Sequence, residues 1–473
     1  MKFSVAWSFK QAPRDRTIDA MTGICRVVFP EWWLMKSLPT LLPLLLAVAV
    51  LLCGNGILLT LIALKADAAG WSATTIGLLG TTYFAGFLLS STYTPRLIDL
   101  VGHARVFAAL AALSAISALM LIVVEDKYVW MASRALAGFC IAGLFTAIES
   151  WINGAVENSD RGRMLSIYAL TDLGAVTASQ LLLPVIGTEG TLLFLITAIM
   201  FCFSVVPVTL SPKDAPQAFE PVKMKFRDVW RVSPLAFATC FIIGLTNSSY
   251  RTVGPIFATE VGLDTAGVAY FITAGIIGGA ALQLPIGWLS DRIDRRKVLV
   301  GCTIAAVLAG IGLAWLSQGD RMHAPGSSIY LTGLSNSWFF AGSFLFGCFA
   351  MPLYSIAAAH ANDFARPGQF ATITAGMLFT YGVSATFGPM LSALSMDWFG
   401  PPGFFAFICA SHAILVAFAF KRMAARDTVP DDERVNYAPL LRTSRGVFKL
   451  AKRRLTLSQS ELEELEEKEA RSG

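Results

Sequence analysis

Four charged side chains, Arg134, Glu149, Asp172 and Arg251, each interrupt a long apolar run. A charge surrounded by apolar sequence is costly and is kept where it faces a polar cavity or a partner. Asp172 is the first choice for proton exchange, because a carboxylate moving between shielded and wet surroundings can take up and release a proton. It can equally be an Asp hydrogen-bonded inside a helix bundle. Glu149, about 22 Å along the same helix from Arg134 at 1.5 Å per residue, either joins that chemistry or reaches an interface. Arg134 can meet an anionic solute or a carboxylate. Arg251 can attract an anionic group or snorkel to a surface. Two amides, Asn55 and Asn247, lie mid-run and can hydrogen-bond a solute or a neighbouring helix. Tyr250, Tyr354, Trp151 and Tyr168 can stack on a planar solute or simply pack.

The elements that must position these residues are membrane spans. The chain of 473 residues is 55% hydrophobic and 15% charged, against about 25% charged in soluble domains. A span needs about 20 mainly apolar residues. Twelve segments qualify: 38–64, 71–94, 104–124, 128–152, 164–186, 190–211, 234–259, 266–290, 298–316, 337–360, 370–395 and 402–420. The expected class is therefore an all-α integral membrane protein of twelve transmembrane helices. The net charge of +5 reads as topology rather than nucleic-acid binding, since the cations fall in short loops.

Charge sets the orientation. Gly287-Trp-Leu-Ser-Asp291-Arg292-Ile-Asp-Arg295-Arg296-Lys297 is a dense charged turn between two apolar runs. Cations from Arg96 and Arg105 through Arg161 and Arg231 to Arg366 share its side, against Lys65, Lys127 and Arg321 on the other. Lys and Arg accumulate on the cytoplasmic side, so both termini are expected there, in a multi-pass protein of a bacterial inner membrane.

A weaker copy of the turn, Pro95-Arg96-Leu97-Ile-Asp99-Leu-Val-Gly102-His103-Ala-Arg105, lies 192 residues earlier. The same shift maps Asn55 onto Asn247 and Gly86 onto Gly278. A shift of 205 maps Arg161 onto Arg366, Ser179 onto Ser384 and Pro184 onto Pro389. These matches predict two pseudo-symmetric six-helix bundles. The expected organisation is a cytoplasmic tail at 1–37, bundles at 38–211 and 234–420, a linker at 212–233 and a cytoplasmic tail at 421–473. Met35-Lys36-Ser37 directly precedes the first span, so a start at Met35 is one reading of the N-terminus. The other is a basic tail with an interfacial Trp32-Trp33 pair. Val447–Leu457 is basic and amphipathic and suits an anionic lipid surface.

The eight cysteines form no C-x-x-C pair and read as small apolar packing residues. No metal, cofactor or nucleotide motif is present in the sequence, and the four histidines lie in no catalytic spacing. An enzyme is the least expected class.

The paired turns resemble the loop motif of the major facilitator superfamily, G-x-L-x-D-R-x-G-R-R/K. The second copy keeps Gly287, Leu289, Asp291, Arg292, Arg295 and Arg296, with Asp294 in place of glycine. The first keeps Leu97, Asp99 and Gly102. Arg134-Ala-Leu-Ala-Gly138 is similar to the family's span-four arginine motif, which the resemblance ties to proton movement. Glu149-Ser-Trp151 with Arg161-Gly-Arg163 is similar to the YcaD-type bacterial permeases. The drug-antiporter glycine-proline motif is missing from Leu170–Thr177. The resemblance implies a monomeric, proton-coupled transporter of a small organic solute. Uptake, of a vitamin such as riboflavin for instance, is favoured over efflux of amphipathic compounds. A non-transporting membrane sensor is the reading from another class. It also implies that Asp99, Gly102, Arg105, Gly287, Asp291, Arg292, Arg295 and Arg296 form gating loops, with the two aspartates meeting helix N-termini.

Overall fold

The computed structural model describes residues 38–156, 161–210, 226–318, 332–365 and 370–425. The tail at 1–37, the basic and acidic segments beyond 425, Arg366 and most of the 212–233 linker lie outside them, as does the question of Met35.

Fifteen helices follow one another among these residues. Spans one to six are α1 (Leu38–Ala68), α2 (Ala73–Val101), α3 (His103–Val123), α4 (Lys127–Ala155), α5 (Arg161–Ile186) and α6 (Leu192–Thr209). The short α7 (Phe226–Val232) leads into span seven, made of α8 (Pro234–Thr252) and α9 (Gly254–Glu260). Spans eight and nine are α10 (Thr265–Arg292) and α11 (Arg295–Leu316). Span ten is α12 (Thr332–Ala350) with α13 (Leu353–Asp363), and α14 (Phe370–Phe399) and α15 (Pro402–Ala425) complete the chain.

Eleven helical segments of the described residues are long and apolar enough to cross a membrane. Span seven is the one that falls short of that measure. Its run Thr246-Asn-Ser-Ser-Tyr-Arg-Thr252 is polar, and Pro255 supplies no N–H to continue the ladder. Pro352 interrupts span ten in the same way, between α12 and α13.

Side chains written into the sequence start several helices. Ser72, Asp126, Ser233, Asp264 and Asp294 each accept a backbone N–H of the helix that follows, the ordinary role of an N-cap residue. Spans three, six and nine turn apolar rows outward. Leu113, Ile116, Met120 and Val123 are exposed on α3, Leu195, Ile199, Phe203 and Val206 on α6, and Leu308, Ile311 and Trp315 on α11. The spacing of three or four residues makes each row one helix face, suited to lipid. The interior holds small polar groups instead: Ser90, Thr94, Ser114, Ser117 and Ser133 are buried.

The repeat is visible in the packing. At Gly86 a Cβ would overlap the Ala135 carbonyl oxygen of span four, and at Gly278 it would overlap that of Phe344 in span ten. Small residues at such points let backbones touch. Ser179 lies against Gly56 of span one, and its counterpart Ser384 lies against Gly244 of span seven. The halves meet along span two with span eleven and span five with span eight.

Candidate transport site

The polar cluster between the halves is built on span two. The Tyr83 hydroxyl faces the Asn55 carbonyl oxygen of span one at 3.5 Å. The Arg134 guanidinium of span four lies 4.3 Å from the centroid of the Tyr83 ring. This cation–π contact contributes about 2 kcal/mol when desolvated. Arg134 is 2% exposed, and its Nη1 has no hydrogen-bond partner. Arg251 of span seven lies within electrostatic reach of the same phenol. One turn of α8 before it stands Asn247, 1% exposed, whose Nδ2 is also unpartnered. Residues four apart share a helix face, so Asn247 and Arg251 present their donors together. Close helix approach keeps the cluster tight: a Cβ at Gly80 would press on Thr252 and Pro389 of the opposite half.

Other candidates are placed elsewhere. The Tyr250 hydroxyl donates to the Phe271 carbonyl at 3.1 Å and lies 2.6 Å from Ser343 Oγ. It bolts span seven to spans eight and ten within its own half, and so serves packing there. Tyr354, 3% exposed, sits edge-on to Tyr381 of span eleven, with ring centroids 5.9 Å apart. Glu149 is buried near the end of span four. Its neighbour Ser150 is 2.9 Å from His103 Nε2, and Trp151 lies beside the same imidazole, so the Glu-Ser-Trp run fastens span four to the start of span three. Asp172 is half-buried on span five, the least enclosed of the eleven apolar segments.

The two charged turns differ in structure. In the second, Arg295 Nη2 bonds Asp291 at 2.9 Å and Arg295 Nε lies 3.2 Å from Asp363 at the end of span ten. Asp291 thus meets the first turn of α11, within its own half. Asp294 caps that helix, accepting from the Arg296 N–H, and its carboxylate pairs with the Arg296 guanidinium at 3.0 Å. Arg292 lies over Trp288, 3.7 Å from the ring centroid, and Gly287 is buried. In the first turn Gly102, the counterpart of Asp294, has φ +85°, a conformation that favours glycine. Asp99 and Arg105 are exposed. His103 stands where the second copy has Arg295, so a neutral-type hydrogen bond replaces the ion pair.

At the membrane end remote from these turns, the halves are clasped. Thr259 Oγ1 of α9 donates to Asp67 Oδ2 at the end of span one, 2.8 Å away. Asp397 Oδ2 of span eleven accepts from the Thr74 N–H at 3.1 Å and from its hydroxyl. Asp67 and Thr259 are 192 residues apart, the repeat interval, so the same position of each half meets its counterpart. Tyr83, Asp67, Thr259, Asp363 and Asp397 were not among the sequence candidates. The 192-residue shift alone carries a signal for the Asp67–Thr259 pair.

The comparisons agree with this architecture. An MFS-type transporter of Yersinia pestis (strain Pestoides F) is 24% identical over 379 residues, covering 77% of this chain and 88% of its own. The MFS-type transporter YcaD of Salmonella newport (strain SL254) is 24% identical over 361 residues, covering 74% and 89%. Among solved structures, the nucleoside transporter NupG superposes with a TM-score of 0.63 at 14% identity, covering 81% of this chain and 98% of that one. A bacterial homologue of the lysosomal transporter Spinster, inward-facing and occupied, gives 0.62 at 14% identity, covering 84% and 97%. These likenesses concern the fold. The sequence model of the Major Facilitator Superfamily matches residues 44–335, and the chain belongs to that family of transporters.

Proposed function

We propose that the chain imports a small organic solute across a bacterial inner membrane, driven by protons, through alternating exposure of one central site. The observation that carries this reading is the cluster of Asn55, Tyr83, Arg134, Asn247 and Arg251 at the seam between the halves, with buried donors on Arg134 and Asn247 left unmet. A buried donor without an acceptor costs about 1–3 kcal/mol, and a bound solute would recover it. The clasp at Asp67–Thr259 and Thr74–Asp397 supports a state closed at the end opposite the basic turns. With those turns assigned to the cytoplasm, the closed end is the outer one and both termini are cytoplasmic. Asp172, on the least enclosed span, is the proton-exchanging carboxylate of this scheme.

The test uses purified protein in liposomes, an imposed pH gradient and a panel of labelled vitamins, metabolites and dyes. An inward proton gradient should accelerate accumulation by the native protein. Asp172→Asn should lose that acceleration while still exchanging solute across the membrane. An unchanged gradient dependence in Asp172→Asn would remove the residue from the mechanism. Acceleration by an outward-directed gradient of protons would reverse the direction, and no movement of any solute would overturn the transport reading.

A further inference from the structure

Two cations from opposite halves lie within electrostatic reach of one phenol at the seam. Arg134 comes from span four of the first half and Arg251 from span seven of the second. Both act on the phenol of Tyr83. Ion pairs among the described residues include Arg295 with Asp291 and with Asp363, and Arg296 with Asp294. Neither Arg134 nor Arg251 takes part in these pairs. The face of Tyr83 gives Arg134 partial compensation, while the effective penalty for a desolvated ion is several kcal/mol. The unmet side-chain nitrogens of this cluster, Arg134 Nη1 and Asn247 Nδ2, are both donors. A set of donors with excess positive charge is complementary to oxygen acceptors with negative charge.

Resting on the transport reading above, we infer that Arg134 and Arg251 together receive one anionic group of the solute, a carboxylate or a phosphate ester, with Asn247 donating to it. The solute class is thus a small organic acid. Such an anion bridges the halves. Two like charges brought together without it repel, so the seam closes around Arg134 and Arg251 more readily when the anion is present. A proton carried on Asp172 offsets the negative charge moved inward.

The experiment offers labelled solutes in matched sets to full-length protein in liposomes: benzoate with benzamide, succinate with succinamide, phenyl phosphate with phenol, and riboflavin as a neutral planar solute. The expected result is uptake of an acid without uptake of its neutral partner. Arg251→Gln should lower that uptake at least tenfold, and Arg251→Lys should recover part of it. The carboxylate and phosphate arms separate the two anion types. Asn247→Asp places a negative charge on the same face of α8 and should exclude the acid, which tests the idea should Arg251→Gln fail to fold. Uptake of riboflavin or a neutral partner at a rate unchanged by Arg251→Gln would overturn the inference while leaving transport intact. Failure of all solutes, charged and neutral, would overturn both.

Discussion

In the orientation proposed above, loosening the Asp67–Thr259 and Thr74–Asp397 clasp should shift the protein toward its outward-open state by a predictable amount. Asp397→Ala removes two hydrogen bonds to an ionised acceptor, those from the Thr74 N–H and hydroxyl. At a partly wet rim each contributes about 1 kcal/mol net, so the closed state loses about 2 kcal/mol. At 1.4 kcal/mol per tenfold, the closed-to-open ratio falls about 30-fold. Adding Asp67→Ala removes the Thr259 bond and brings the loss to about 3 kcal/mol, or about 150-fold. Inverting a 99:1 equilibrium to 1:99 takes about 5.5 kcal/mol, so even the double variant should populate both states. Spin labels at Ala69 and Trp398, both exposed at this end and on opposite halves, would report the populations in a background without native cysteines. The long-distance fraction should grow from native to single to double variant. Identical distance distributions in all three would refute the assignment of the clasp as a gate.

Further outcomes follow from the packing. Gly86→Ala and Gly278→Ala each drive a methyl group into a neighbouring backbone carbonyl, and should cost about 1–3 kcal/mol. Gly301→Ala, with open space around it, should melt like the native protein. Asp363→Asn leaves the buried Arg295 guanidinium short of a charge and should destabilise by about 3 kcal/mol, the lower end for breaking a buried pair. Asp291→Asn should slow turnover with normal membrane insertion, read as initial rate per inserted molecule. Tyr250→Phe should lose about 1 kcal/mol of thermal stability with transport affinity unaltered. A marked loss of affinity would return Tyr250 to the solute site.

Much of the fold could be read from residue order because lipid imposes length and charge rules that a sequence cannot hide. The 192-residue shift found Gly86 and Gly278 as like positions, and both are points of helix contact. Ser179 and Ser384, found by the second shift, each lie against a glycine of the neighbouring span. The site was less legible. Span seven is polar from Thr246 to Thr252, and such a run covers every face of a helix. Its phase is therefore set by packing, which turns Tyr250 into its own half and leaves Asn247 and Arg251 on a common face. Tyr83 is an aromatic in an apolar span, a pattern far more common in plain packing. Asp67, Asp363 and Asp397 sit at span ends, where a carboxylate ordinarily means solvent. His103 hid a difference between the halves, since its equivalence to Arg295 emerges only when both turns are laid on the same frame.

The interruption of span seven has a mechanical meaning. Pro255 leaves the Arg251 carbonyl without its usual donor four residues on, and the ladder breaks at Val253, between Arg251 and Thr259. On one side of this joint stand Asn247 and Arg251. On the other is a stub of seven residues, α9, about 10 Å long at 1.5 Å per residue, bearing the hydroxyl that holds Asp67. The stub is a short rigid arm with the donors of the proposed site at its pivot and the Asp67 contact at its tip. Any rotation at the pivot displaces both, so a turn of about 6° beside Asn247 and Arg251 moves the tip of an arm of about 10 Å by about 1 Å at the rim, on the scale of a hydrogen bond made or lost.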